Sequence, residues 1–237
     1  MIILFSKKFR FLFFFLILLF GKLSAQENFN GFINPAISVS IKNETPWSYT
    51  FGIARRDIVF TDIENKRNFS EEVKFEGQFL ELNHFTSRKV GFYGKVSAGI
   101  RYRFIETFTG KQNETRFIEQ YAYGKKLNRF KIAHRLRLAQ RFREKTTFRT
   151  RYRFSVEFPL NGDNVDAKEF LLVTSAEGVW EFGKDELPNF GVRYSNYIGY
   201  KIFDNAVINL GLEYRYRNFT QNPYTQLFLI SALKVSL

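Results

Sequence analysis

The sequence predicts an all-β protein: an antiparallel transmembrane β-barrel of 10 to 12 strands with a charged, arginine-rich lumen. Three observations carry this. Two adjacent segments, 134–143 (HRLRLAQRFR) and 148–158 (FRTRYRFSVEF), set arginine at nearly every second position, with leucine, phenylalanine, tyrosine and valine at most positions between. That is a strand period with charge on one face. The two segments belong to a train of strand-like runs separated by short polar connections. An export signal precedes them, which favours the inverted arrangement, apolar side out and charge inside, over a soluble sandwich with solvated arginines.

The export signal has a basic start (Lys7, Lys8, Arg10), an apolar run from Phe11 to Phe20, and a small-residue exit, Leu23-Ser24-Ala25, before Gln26. A membrane-spanning helix needs about 20 apolar residues, and Gly21-Lys22 ends this run too early. The expectation is therefore a signal peptide over 1–25, cleaved after Ala25, and a single barrel domain over 26–237. With no cysteine in the chain, a cysteine-anchored lipoprotein, disulfides, thiol catalysis and thiolate metal sites are excluded. Removing residues 1–25 takes away four basic residues and no acid, so the formal charge falls from +13 to +9. Basic charge interleaved with aromatics, as in Arg101-Tyr102-Arg103-Phe104, Arg151-Tyr152-Arg153-Phe154 and Arg215-Tyr216-Arg217, resembles a stacking surface for nucleic acid. Export makes that partner inappropriate. The alternative is a strand end, with tyrosine in an interfacial girdle and arginine turned into the lumen.

Strand-like runs follow at 32–41, 46–60, 71–83, 90–105, 114–123, 128–143, 147–159, 168–182, 189–203, 205–217 and 224–237. Longer connections (61–70, 106–113, 183–188, 218–223) alternate with tight ones (42–45, 85–89, 124–127, 204–205), as outer loops alternate with periplasmic turns. The connection near Lys145 is an exception, short on the outer side. Eleven runs conflict with the even count of bacterial single-chain barrels. The count is thus expected to resolve to ten, with 32–41 as an added element, or to twelve. In the last run Leu227, Leu229, Leu233, Val235 and Leu237 share one parity. This pattern resembles the terminal signal read by the barrel assembly machinery, with leucine in place of the usual terminal aromatic.

Assigning the apolar parity to lipid yields the lumen residues. The run 90–105 turns Lys95, Ser97, Gly99, Arg101 and Arg103 inward, 128–143 turns in Arg135, Arg137, Arg141 and Arg143, and 147–159 turns in Arg149, Arg151, Arg153, Ser155 and Glu157. Later runs add Glu177, Arg193, Ser195, Tyr197, Asn209, Glu213, Arg215 and Arg217. Buried arginines must be paired or hydrated, because an isolated buried charge costs several kcal/mol. An Arg/Glu network that plugs a narrow barrel is preferred over an anion-attracting pore or a pocket for an acidic ligand, since small barrels are filled by side chains.

Catalysis has less support. Outer-membrane phospholipases and lipid A deacylases carry an H-x-S pair on one strand face. His84 is followed by Phe85-Thr86-Ser87, which reads as a turn, and His134 by Arg135-Leu136. His134 shares the lipid-facing parity of Leu136 and Leu138. No phosphate loop or metal-ligand cluster is present in the sequence, so no cofactor is expected. The four N-x-[ST] sequons (Asn43, Asn68, Asn113, Asn218) are what a polar, turn-rich chain carries by chance.

The run His134 to Phe142 with its arginine-rich return strand, and the later Phe190-Gly191-Val192-Arg193-Tyr194-Ser195-Asn196-Tyr197-Ile198-Gly199-Tyr200, resemble the bacterial outer-membrane barrel family called domain of unknown function 2490. The resemblance covers the whole mature chain and departs from the family at Ala139, where it implies a carboxylate. It implies a barrel in the bacterial outer membrane and no established activity. The expected partners are outer-membrane lipids, lipopolysaccharide and, during insertion, the assembly machinery. Two functions of different class remain. One is a non-enzymatic barrel that is structural, binds at its loops, or forms a small anion-biased pore; the other is an enzyme that modifies or cleaves lipid.

Overall fold

The computed structural model describes residues 29–61, 72–105, 112–184 and 186–237. The expected signal segment 1–25 and the expected cleavage point before Gln26 lie outside these residues. The described chain is eleven strands: β1 (Phe29–Lys42), β2 (Trp47–Thr61), β3 (Glu72–Val90), β4 (Gly94–Ile105), β5 (Glu114–Leu127), β6 (Phe130–Phe142), β7 (Thr147–Pro159), β8 (Phe170–Gly183), β9 (Glu186–Phe203), β10 (Ala206–Arg217) and β11 (Tyr224–Ser236). Each pairs antiparallel with its sequence neighbours, and β1 closes on β11 into a single barrel.

The closing pair corrects the expected count. β1 is neither an added element beside a ten-stranded wall nor one of twelve strands. It is a full member of an eleven-stranded wall, and it runs parallel to β11 through twelve paired positions, from Phe29↔Thr225 to Ser40↔Ser236. The reason is geometric: consecutive hairpins reverse direction at every strand, so an odd number leaves the first and last pointing the same way. The final residues are tied into this seam, with Lys42 N donating to Leu237 O at 2.7 Å and Leu237 N to Ser40 O at 2.8 Å. Inside the seam Phe32 and Phe228 stack at 4.7 Å between centroids, and Phe228 is fully buried.

One end of the barrel, here the upper, carries the connections after β2, β4, β6, β8 and β10. The lower end carries the others and Leu237. Two hairpins sit later than the polarity of the sequence implies. Residues 85–89 are strand, not turn, and β3 reverses at 91–93, where Gly91 has φ +59°. β5 likewise runs to Leu127 and reverses over Asn128-Arg129, where Asn128 takes φ +48°, a conformation that asparagine tolerates. Length alternation also fails at 160–169. This long connection lies at the lower end, pinned by Arg129 to Asp163 at 2.7 Å and by backbone bonds to Lys201.

The burial pattern is inverted relative to a soluble domain. Twenty buried residues are polar or charged and eight are apolar, whereas every strand exposes a large apolar side chain, such as Ile37, Phe51, Leu82, Ile100, Phe117, Leu138, Ile198, Leu210 and Leu229. Within the lumen, rings lie over glycines on the facing strand. A Cβ on Gly99 would collide with the Phe85 ring, and one on Gly211 with Tyr197 and the neighbouring backbone. Phe85 packs there with Ile118 and Ala139, so the small side chain of Ala139 makes room for an apolar layer.

Because β11 is one strand of the seam and carries the pairing to both β1 and β10, deleting residues 228–237 is expected to prevent closure. The measurement is refolding into detergent micelles read by heat-modifiable electrophoretic mobility, and the truncated chain should show no fast-migrating folded band.

Candidate functional site

Period-2 alternation points the same parity of every strand inward, and antiparallel register then sets residues distant in sequence side by side. Register alone creates repulsion. Arg135 lies opposite Arg153, Arg137 opposite Arg151, Arg193 opposite Arg215, and Arg116 faces Arg101 on one side and Arg141 on the other. Like charges directly opposite are destabilising, and five carboxylates placed among them offset this.

Glu177 on β8 is the most heavily used. It receives Arg153 at 2.8 Å, Arg135 and Arg193 at 3.2 Å and Arg151 at 3.8 Å, and its side chain is 2% exposed. Nearer the upper end Glu114 binds Arg116 and both Nε (3.1 Å) and Nη2 (2.5 Å) of Arg141. Arg141 also reaches Glu181, which holds Arg149 through Nε at 2.9 Å and accepts from the Thr147 hydroxyl at 3.2 Å. Glu81 pairs with Arg101 at 3.1 Å and takes Arg103 through Nε at 3.1 Å. Glu213 binds Arg215 Nε at 2.5 Å and accepts from Ser195 Oγ at 2.9 Å. These are forked, charge-assisted contacts, the strong kind.

Three interior arginines have no carboxylate partner among the described residues. Arg56 donates to Asn34 at 3.2 Å and lies over the rings of Phe79 and Phe228, each at 4.6 Å. Arg137 donates through Nε to Gln120 at 2.9 Å, and Arg217 sits over Tyr224 at 5.4 Å. Cation–π contact and a neutral acceptor stabilise a guanidinium without cancelling its charge.

The network divides the lumen in two. A cavity of about 790 Å³ opens toward the upper end, lined by eleven arginines and three glutamates, and one of about 350 Å³ lies below it, partly lined by Ala122, Ala133, Val173, Ile230 and Ala232. They share no lining residue, and Glu177 with its arginines stands between them.

The interior thus brings together Arg101, Arg103, Arg135, Arg137, Arg141, Arg149, Arg151, Arg153, Glu177, Arg193, Glu213 and Arg215. Glu157 stands apart, at the lower rim, with Lys131 at 4.0 Å. Sequence reasoning missed Arg56, Glu81, Glu114, Arg116 and Glu181. Glu114-Thr115-Arg116 and Trp180-Glu181-Phe182 do carry the alternation that would have found three of them with their register known. His84, expected in a turn, lies instead within β3 on the outer face, stacked near Tyr49 and Phe51. His134 is on the outer face of β6, its Nδ1 2.7 Å from Tyr152 Oη.

Glu177→Gln leaves four guanidiniums facing a neutral amide. It should lower refolding stability by about 3–5 kcal/mol, whereas Arg137→Leu, which removes bonds to Gln120 alone, should cost about 1–2 kcal/mol. Urea titration of the barrel refolded in lipid vesicles measures both.

No match is found among curated proteins or solved structures. The family described as protein of unknown function (DUF2490) matches residues 35–228, from the middle of β1 into β11. On that match, which covers β2 to β10 whole and all five network carboxylates, the chain belongs to the DUF2490 family.

Proposed function

We propose that this protein is a non-enzymatic β-barrel of the bacterial outer membrane, closed to through-flow by its arginine–glutamate network, with an anion-attracting vestibule at the upper mouth. The observation that carries the reading is the inversion of polarity around a closed sheet. A predominantly apolar exterior, with large apolar side chains exposed on all eleven strands, suits hydrocarbon, and closure leaves no strand edge unpaired in lipid. Lipids and lipopolysaccharide would cover this face, and β11 would present the assembly signal, with Leu237 at the periplasmic end. A binding role fits better than a pore because the two cavities are separated by buried ion pairs.

The membrane assignment is tested by fractionation and by a charge on the outer face. Leu138 is a poor choice because Glu119 stands opposite it on β5 and would accept an arginine. Leu210 is 55% exposed between Ile198 and Ser231. Leu210→Arg should cost about 2–4 kcal/mol in vesicle refolding if it sits near the midplane, and the wild-type chain should sediment with outer membranes. Recovery in the soluble periplasm with unaltered stability of the variant would refute the assignment. Planar-bilayer recordings should show no steady conductance.

A lipid-cleaving enzyme has one observation in its favour. His84 Nε2 and Thr86 Oγ1 lie 3.1 Å apart on the outer face of β3, and a hydroxyl beside an imidazole is the start of a nucleophile. The facing positions, Tyr49, Phe51, Ala98 and Ile100, supply no carboxylate or amide to orient the ring. Incubation with phospholipid vesicles should release no fatty acid detectable by mass spectrometry; release that disappears in Thr86→Ala would establish the enzyme instead.

A further inference from the structure

We infer that the upper vestibule is a binding site for a multiply phosphorylated sugar or polyol, an inference that rests on the barrel and vestibule proposed above. Charge is the first argument. Among the described residues, eleven guanidiniums line the cavity against three carboxylates, and the carboxylates behind the wall are already shared, Glu177 among four arginines and Glu114 among three. Cations that are buried and only partly paired require an anion to neutralise them.

Unused hydrogen-bonding groups are the second argument. The Nε atoms of Arg101, Arg151 and Arg193 are buried without an acceptor among the described residues, and all three residues line the vestibule. Arg151 and Arg193 are each 7% exposed. On the same wall the buried Asn218 Oδ1 has no donor. The site therefore asks for several anionic oxygens and for at least one hydroxyl.

Shape and chemistry narrow the ligand. About 790 Å³ lies within the range of small-molecule pockets, too large for a lone phosphate ion. Lysine is absent from the lining among the described residues; arginine forks match phosphate oxygens two at a time, which a point charge cannot. Few apolar side chains, chiefly Phe79, Phe182 and Leu187, face the space, so a phosphorylated carbohydrate fits and an acyl chain does not. Such a group occurs both in soluble sugar phosphates and in the phosphorylated saccharide of lipopolysaccharide.

The test is calorimetric titration of the full barrel, refolded in uncharged detergent micelles, with fructose 1,6-bisphosphate at matched ionic strength. Orthophosphate, citrate and fructose serve as comparisons. One-to-one saturable binding is expected, tighter than for any comparison by at least about tenfold, the effect of one charge-assisted hydrogen bond. Arg193→Gln should weaken it by a similar factor. So should Arg217→Gln, which leaves no carboxylate unpaired and so keeps the fold, whereas Arg88→Gln, beside Trp47 near the lower end, should not. Absence of saturable binding, equal affinity for orthophosphate or citrate, or an unchanged Arg217→Gln would overturn the inference. Deacylated lipopolysaccharide that displaces the sugar bisphosphate assigns the lipid-derived source, and failure to displace it assigns the soluble one. Because the titration uses micelles, its outcome is independent of fractionation. Soluble recovery of the cellular protein defeats the membrane reading, and lack of binding defeats this inference alone.

Discussion

Everything inside this barrel depends on a carboxylate being within reach of each cluster of guanidiniums. Glu177 has the largest share, with four arginines from three other strands converging on it. An ion pair in low dielectric offsets its desolvation cost only when geometry and further hydrogen bonds are good. The arrangement therefore constrains register as tightly as a hydrophobic core does elsewhere. A slip of one residue at β7–β8 would send Glu177 to the outer face and leave Arg153 and Arg151 facing each other's neighbours with no counter-charge.

The same network explains why the wall can be apolar. Turning most ionic groups inward leaves the outer parity of each strand largely free for leucine, isoleucine and aromatic side chains, and closure by β1 and β11 removes the edges that would otherwise expose backbone polar groups. At the seam the two demands meet. Phe32 and Phe228 stack inside it, and Arg56 and Arg215 lie over the Phe228 ring at 4.6 and 3.8 Å, so the closing pair is joined by backbone bonds and by a cation–aromatic cluster.

Strand identity and inward parity were legible where alternation was strong, as in 134–143 and 148–158, because charge and grease there separate by side. Elsewhere local reading failed for identifiable reasons. Residues 85–89 look like a turn since, after Phe85, Ser87 and Lys89 point inward and Thr86 and Arg88 point out, so both faces read as hydrophilic. Arg56 was hidden by a register shift between Arg56 and Asp57 that breaks the period. The partners of the arginines could not be read at all: Arg135 and Glu177 are 42 residues apart, Arg141 and Glu114 are 27, and only register brings them together. The direction of the closing pair likewise follows from the total count, a property no single segment encodes.

That odd count has a consequence for how the gene can be rearranged. In a barrel with an even number of strands the first and last elements begin and finish on the same rim, so a short peptide can join them and new ends can be opened at any hairpin. Here Phe29 and Leu237 stand on opposite rims. They are separated by about 35 Å, from roughly 3.3 Å per residue along a 14-residue strand tilted near 40°. On the membrane reading proposed above, a joining peptide would have to run through the occupied lumen or through hydrocarbon with its amides unpaired. Circular permutation is therefore closed to this wall, and the order of its strands along the chain is locked together with their order around the barrel.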